Sequence, residues 1–315
     1  MAGIRLFFVK IKTEMNEEKT GINVVAFGEI LWDVFNEDKK IGGGPLNVAL
    51  TMNDLGASVS LISAVGEDKN GDLLLNEIAK KIDTSSIFKH STLPTSTVDV
   101  ILDDNKTATY KINQPVAWDE IQYSEDLRNV VDSSDIFIYG SLASRNEISR
   151  ETLIKLLDNN ALNVLDINLR APYYTNENLL GLINKADFVK FNDQEIEEII
   201  KLVYGQPFEG IEDAMKCISQ YSGIDKICVT KGDRGAVFYS DREFYYNSGY
   251  DIEVVDTVGA GDSFLGSLVF KIYEGESPQN ALDFASAMGA YVCSKPGANP
   301  AYKEEDIELI MGAVK

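Results

Sequence analysis

A chain of 315 residues is long enough to bury a large core as one α/β domain or as two smaller ones. With 29 Lys and Arg against 50 Asp and Glu, a net charge of −21, it is a poor match for nucleic acid or an anionic membrane, and an anionic small ligand would need local backbone donors, a few basic residues and metal. Three widely spaced cysteines, Cys217, Cys228 and Cys293, suggest neither a disulfide framework nor a zinc site and read as reduced, cytosolic core residues, while the single histidine, His90, in a Ser/Thr/Pro-containing connection, argues against the common triads. Chemistry falls to carboxylates.

Residues 1–12 hold the apolar run Ile-Arg-Leu-Phe-Phe-Val, interrupted by Arg5 and followed by lysines without a cleavage pattern, so they do not read as a signal peptide. No segment reaches the about eighteen apolar residues of a membrane span. Residues 1–21 are expected to be a leader without function, with Met15 an alternative start, and 22–315 a single domain. A short buried strand over 22–28 precedes 29–40, where Asp33 stands among bulky residues, and then Gly42-Gly43-Gly44-Pro45. Pro45 suits the first turn of a helix whose inner face is Leu46, Ala49, Leu50 and Leu55 and which Gly56 ends. A strand over 59–65 and a helix over 73–81 continue the alternation.

Residues 97–112 break it. Thr-Val-Asp-Val-Ile-Leu, a turn at Asp103-Asp104-Asn105-Lys106 and Thr-Ala-Thr-Tyr-Lys-Ile predict a hairpin, which cannot sit inside a parallel sheet without a crossover and is expected as a flap beside 31–41. Strands are then predicted over 135–140, 163–167, 188–191 and 226–230, with helices over 150–159, 179–185, 194–203 and 214–221. A hairpin of 236–239 with 244–246 and helices over 278–295 and 303–314 complete the chain. Such alternation implies a mostly parallel sheet covered on both faces.

Between the last hairpin and the last helices lies the most informative stretch. Val254 and Val255 end an extended run, Gly259 and Gly261 break it, and Leu265, Leu268, Val269 and Ile272 recur at helical spacing from Asp262 onward. Without Cβ atoms in the way backbone N–H groups can converge there, and a helix start adds unpaired donors and the positive end of its dipole, so the turn suits an anion. Asp262 would repel phosphate unless it accepts a proton from an attacking hydroxyl, though its residue type fits a helix cap equally well. The run is not G-x-x-x-x-G-K-[ST], Phe264 replaces the third glycine of a dinucleotide fingerprint, and Ser263 is out of register for G-x-S-x-G.

Polar residues gather at the carboxyl ends of the predicted strands, where open α/β sheets bind ligands. Asp33 follows the first; Asp166, Asn168 and Arg170, then Lys190, Asn192 and Glu195, then Thr230, Lys231, Gly232 and Gly235 follow others, and 256–262 close the series. Singly, these are a strand-end salt bridge, a capping box and a polar turn. Their common edge points to one crevice.

Two runs, Gly42-Gly43-Gly44-Pro45-Leu46-Asn47-Val48-Ala49 continuing to Gly66-Glu67-Asp68, and Asp256-Thr257-Val258-Gly259-Ala260-Gly261-Asp262-Ser263-Phe264, resemble the signatures of the ribokinase-like (PfkB) carbohydrate kinases over 22–315. The resemblance implies a three-layer αβα fold with a mostly parallel sheet and a small β-lid from 31–41 and 95–113. It implies Asp262 as catalytic base, Gly259, Ala260 and Gly261 as the anion hole and Arg170 as a stabiliser of phosphoryl charge. Asp33, Asn47 and Asn168 are expected at the sugar, with Gly43 and Gly44 permitting close approach. Lys190, Asn192, Thr230, Gly232 and Gly235 are expected at ATP, with Gly297 and Asn299 on the adenine side and Glu195 at Mg2+ through water. A loop near Asp256 and Val258 is the implied place for K+.

Within the family, Gly28-Glu29-x-Leu31-x-Asp33, the Gly-Gly-Gly-Pro variant and Asp166-x-Asn168-x-Arg170 look most like bacterial fructokinases. Ribokinases carry Gly-Gly-Lys-Gly-Ala-Asn, whose lysine is missing here, and 2-keto-3-deoxygluconate kinases share the Asp-x-Asn-x-Arg. The implied activity is transfer of the γ-phosphate of ATP to the primary hydroxyl of a free sugar, foremost D-fructose. The alternatives are another sugar or nucleoside acceptor, or a non-catalytic nucleotide or sugar sensor, against which the intact Asp262 and its glycines stand. A cytoplasmic protein, monomeric or dimeric through the lid, is the remaining expectation.

Overall fold

Side chains of β1 (Asn23–Phe27) point alternately to two apolar clusters: Val25 and Phe27 join one, Val24 and Ala26 the other. A strand buried on both faces lies inside a three-layer structure. The computed structural model describes residues 21–35, 38–102, 108–205 and 207–312; the expected leader, except Gly21, and the turn at Asp103-Asp104-Asn105-Lys106 lie outside them. After β1 come β2 (Leu31–Phe35), β3 (Asp38–Gly42), α1 (Gly44–Asp54), β4 (Ser58–Gly66), α2 (Lys69–Ile78), β5 (Ile87–His90), β6 (Thr97–Leu102) and β7 (Ala108–Ile112). Then follow α3 (Glu125–Asp132), β8 (Ile136–Gly140), α4 (Glu147–Leu156), β9 (Leu162–Asp166), α5 (Asn176–Ile183), β10 (Phe188–Asn192), α6 (Asp193–Ile199), α7 (Ile211–Ser222) and β11 (Lys226–Thr230). The hairpin β12 (Ala236–Ser240) and β13 (Glu243–Asn247) and the helices α8 (Ala260–Tyr273), α9 (Pro278–Cys293) and α10 (Glu304–Gly312) end the described chain.

Among the described residues nine strands form one sheet in the order β13-β12-β11-β10-β9-β8-β1-β4-β5, antiparallel only at β12 and β13. Apolar residues of α3 to α7, such as Leu127, Leu153, Leu182, Ile196 and Met215, cover one face together with Phe137 and Tyr139 of β8. Leu46, Ile78, Leu265 and Leu282 of α1, α2, α8 and α9 cover the other together with Ile136 and Ile138. Met288 and Tyr291 of α9 pack on Ile307 of α10 in a smaller cluster.

A second sheet of four strands, β3-β2-β6-β7, stands apart from the first. The 97–112 hairpin is β6 with β7, and β2 runs parallel to β6, with Trp32 opposite Thr97 and Asp33 opposite Val98. Residues 31–41, expected beside the hairpin as the other part of the lid, supply the two remaining strands of this sheet.

Three expectations are corrected. His90 lies in no connection; it ends β5, and its Nε2 meets Glu120 at 3.1 Å. Residues 251–255 form no strand, because the sheet already ends at β13; Val254 and Val255 are 60% and 58% exposed, and the Val255 and Asp256 amides bond to the Cys293 carbonyl at the end of α9. The eight-residue helix α3, capped by Ser124, adds a helix to the predicted set.

Candidate active site

The chain leaves β1 towards β4 on one side and returns through β8 on the other, so the sheet has its switch point between β1 and β8, where a crevice opens at the carboxyl ends. Two helix starts converge on it. Gly43, with φ of 128°, precedes α1, and a Cβ there would collide with the Glu29 carbonyl, so only glycine lets the helix start this close to β1. Pro45 sits in the first turn as expected and brings Asn47 to face α8. The two helices are fastened by Thr51, whose hydroxyl donates to Ser263 Oγ at 3.2 Å.

Asp262 lies in the first turn of α8, half-buried. Asn47 Nδ2 donates to its Oδ2 at 2.8 Å, and Asn299 Nδ2 donates to Asn47 Oδ1 at 2.9 Å, which fixes which way the Asn47 amide faces. The residue in the cap position is Gly259, with φ of 76°, and no side chain makes a capping bond, so Asp262 is not the cap of this helix. The Ala260 amide donates to Thr257 O at 3.4 Å and the Ser263 amide to Gly259 O at 2.8 Å; among the described residues the Gly261 and Asp262 amides find no backbone acceptor. That leaves donors and the positive helix end facing the crevice beside a carboxylate.

Burial, and then the charge of Asp166, push Asp262 up to about 6 against the Asn47 hydrogen bond, Lys190 and Arg170. Such a carboxylate is ionised yet basic near neutral pH, the condition for general-base work. Behind the turn Lys190 binds both oxygens of Asp166, at 2.9 and 3.1 Å, with both side chains buried. A Cβ placed on Gly261 would come 3.5 Å from Lys190 Nζ, so this ammonium underlies the anion hole.

On the lid side Asp33 of β2 faces Lys40 of β3 and is pressed against Gly42 so closely that a Cβ there would overlap Oδ2. Burial raises Asp33 to about 6 against Lys40 and Arg170. Asn168, with φ of 37°, takes the left-handed turn that asparagine tolerates, and its Nδ2 would lie 2.9 Å from a Cβ on Gly44. Arg170 is exposed, donates to the Leu169 carbonyl at 3.0 Å and acts electrostatically on Glu29, Asp33 and Asp262 alike.

Other expected ligand residues are placed differently from that cluster. Asn192 and Glu195 form a reciprocal capping box with both bonds at 2.8 Å, and the second Glu195 oxygen accepts the Leu169 amide at 2.9 Å. Thr230 ends β11, its hydroxyl 3.4 Å from the Phe191 carbonyl, and Gly232 opens a 3-10 turn. Gly235 packs on the backbone of Asn247 and Gly249. Gly297 donates to Asp256 Oδ2 at 3.0 Å, while Asn299 joins the Asn47 and Asp262 chain.

A resident magnesium ion does not fit this donor set. Among the described residues no three His, Cys, Asp or Glu side chains converge to hold a metal, and both Glu195 oxygens already accept backbone amides. Asp256, beside the expected K+ loop, likewise accepts from the Val258 and Gly297 amides, each at 3.0 Å.

Sequence reasoning placed Asp166 at the crevice but gave it no role there, and passed over Glu29 as a site residue. Asp166 ends β9 and Glu29 lies two residues past β1, both within quoted motifs, Asp166-x-Asn168-x-Arg170 and Gly28-Glu29-x-Leu31-x-Asp33, so a buried acid at or just past a strand end was the available signal. It also passed over a cavity of about 500 Å³ beyond the 168–170 loop, lined by Gln114, Arg145, Arg150, Tyr173, Tyr174 and Asn178 among others and by none of the residues around Asp262.

The family model of the pfkB family carbohydrate kinases matches residues 10–305. The chain belongs to this family. It is a sugar-kinase-type phosphotransferase, and its relatives are consistent with that: Probable fructokinase-2 of Arabidopsis thaliana is 27% identical across 92% of this chain and 95% of its own length. Bacterial fructokinases were the expected kin, whereas this sequence relative is a plant protein. In fold, the fructokinase of Xylella fastidiosa with bound ATP superposes with a TM-score of 0.80 at 20% identity, covering 92% of this chain and 98% of that one. A fructokinase double mutant from Vibrio cholerae O395, bound to fructose, ADP and potassium, gives 0.78 at 22% identity over 93% and 99%. This PfkB kinase thus has the ribokinase-like α/β architecture, and among its described residues no helix is long and apolar enough to cross a membrane.

Proposed function

We propose that this PfkB kinase transfers the γ-phosphoryl group of ATP to the primary hydroxyl of a free sugar, with D-fructose the preferred acceptor. One observation carries the reading: Asp262 is a raised carboxylate that caps nothing, is oriented by Asn47 at 2.8 Å and stands beside helix-start amides without acceptors. Asp262 takes the hydroxyl proton as the oxygen attacks phosphorus. The Gly259 to Asp262 turn receives the phosphoryl oxygens, and Lys190 beneath it with Arg170 at the rim offsets the charge that spreads over them. Magnesium enters with the nucleotide phosphates as part of the substrate, since this ion keeps several waters and needs few protein carboxylates. The four-stranded sheet acts as a lid that excludes water during transfer.

Charge supports a free sugar over a sugar phosphate. A second dianion requires its own basic cluster, and apart from Arg170, which serves the transferring group, the cation on the acceptor side is Lys40, which faces Asp33 and lies 3.9 Å from Asp256. Asp33 and Asn168 suit neutral hydroxyls. The fructokinase relative and the fructose-bound structural neighbour point the same way.

Coupled ADP release across fructose, fructose 6-phosphate, 2-keto-3-deoxygluconate and ribose tests this. Fructose should lead in kcat/KM by ~10-fold or more. Equal use of fructose 6-phosphate would overturn the free-sugar assignment, and no acceptor-dependent ADP release with any sugar would overturn the kinase reading.

A further inference from the structure

Glu29 is a buried carboxyl for which the proposed reaction has no task. It lies two residues past the end of β1, beside the switch point of the sheet, with 4% of its surface exposed. The backbone amides of Glu29 itself and of Gly44 lie close enough to favour its charged form, against the effect of burial. A Cβ placed on Gly44 would lie 3.5 Å from Glu29 Oε1 and 3.9 Å from Asp262 Oδ1, so two carboxyl groups border one glycine from different elements. Glu29 Oε2 is shut off from solvent and has no hydrogen-bond partner. The charged groups acting on Glu29 are Arg170, from the loop after β9, and Asp262, from α8. Asp33 on β2 shares Arg170 with it, Lys40 on β3 faces Asp33, and Asp166 and Lys190 act on Asp262 from β9 and β10.

If Glu29 were ionised, it would set a second negative charge beside Asp262 and leave one charged oxygen bare. Burial makes that far more costly than an unpartnered hydroxyl. Two carboxyls so placed titrate as a pair and keep one proton between them near neutral pH. We propose that Glu29 is the positioning acid of the site: it carries that proton on Oε2 and lies with Oε1 against the Gly43-Gly44 turn, so that of the two carboxyls only Asp262 is ionised when the acceptor hydroxyl arrives. Burial pushes Glu29 up to about 7 against its own amide and Arg170, and the Asp262 charge pushes in the same direction as burial.

The inference rests on Asp262 being the base, and its test therefore includes a readout that needs no turnover. Glu29→Gln is a neutral isostere that keeps the contact with Gly44. It should keep kcat/KM within about three-fold of wild type below pH ~7 and lack the alkaline fall that the wild type shows as Glu29 ionises. Without substrate, the folded wild type holds a proton that an unfolded glutamate has already lost between about pH 5 and 7, so its Tm should fall as pH rises through that window and fall less in Glu29→Gln. Parallel Tm curves would overturn the proposal whether or not the kinase reading stands. An equal activity loss at every pH in Glu29→Gln would overturn it too, by showing an ionised, merely structural Glu29. If Glu29→Gln does not fold, infrared titration of the wild type with isotopically labelled glutamate decides: a protonated glutamate carboxyl band that vanishes near pH 7 supports the proposal, and its absence rejects it.

Discussion

Two buried polar clusters flank the loop after β9 and are built on opposite plans. Below it, Arg145 lies between the Trp118 and Tyr173 rings, 4.0 and 5.0 Å from their centroids, and meets Asp119 through Nε at 2.6 Å and Nη2 at 2.8 Å. Asp119 also accepts the Val116 amide at 3.0 Å, and only 4% and 3% of the two side chains are exposed. Above it, Glu29 and Asp262 border the same glycine, with Asp33 on the lid side; all three are raised by burial and share an exposed Arg170. The first cluster closes its charges on each other, one to one, in the wall of the cavity that Arg145 also lines. The second leaves carboxyls under-compensated where substrate can enter, which is how a site holds reactivity instead of stability.

Mutations that open the closed cluster or fill the open one sharpen this contrast. Arg145→Met strands a buried carboxylate, so unfolding should become easier by ~3–5 kcal/mol while the folded fraction keeps near-normal kcat/KM. Denaturant melts at fixed pH read the first part and active-site titration the second; an unchanged melt would deny the pair its structural role. Gly261→Val should do the reverse, leaving the melt nearly intact and lowering kcat by ~10²-fold or more, because a β-branched side chain intrudes over Lys190 into the anion hole. An active Gly261→Val enzyme would show that phosphate does not approach this turn. Asp33→Ala should have a smaller effect, raising the sugar KM by ~10-fold with the ATP KM nearly unmoved. If the sugar KM stays put, Asp33 braces the lid strands only.

The closed and open clusters were not equally legible in the sequence. Gly43, Pro45 and Gly259 announce themselves because special backbone geometry leaves few residue choices, and the parallel strands are mostly apolar because both faces are covered. What sequence reading could not supply is adjacency. Asn47 and Asp262 are 215 residues apart and Asn299 is 252 residues from Asn47, yet they form one hydrogen-bonded chain. Glu29 gains its meaning only from Gly44 and Asp262, which the strand order brings to it. Val254 and Val255 misled for a different reason, since β-branched residues favour strands on average but here pass the last strand in the open. The four-residue β5 and eight-residue α3 are too short for periodicity to single out.

The central claim, that Asp262 takes the proton of the acceptor hydroxyl, is tested most directly by comparing wild type with Asp262→Asn in fructose-dependent ADP release while measuring ATP affinity by calorimetry. Asparagine keeps the shape and the contact with Asn47 but cannot accept the proton. The account predicts turnover lower by ~10²–10⁴-fold with ATP affinity within a few-fold of wild type. It also predicts that wild-type kcat falls as pH drops below about 6, where Asp262 becomes protonated, and that the residual Asp262→Asn rate lacks this limb. Near-normal turnover in Asp262→Asn would contradict the assignment outright.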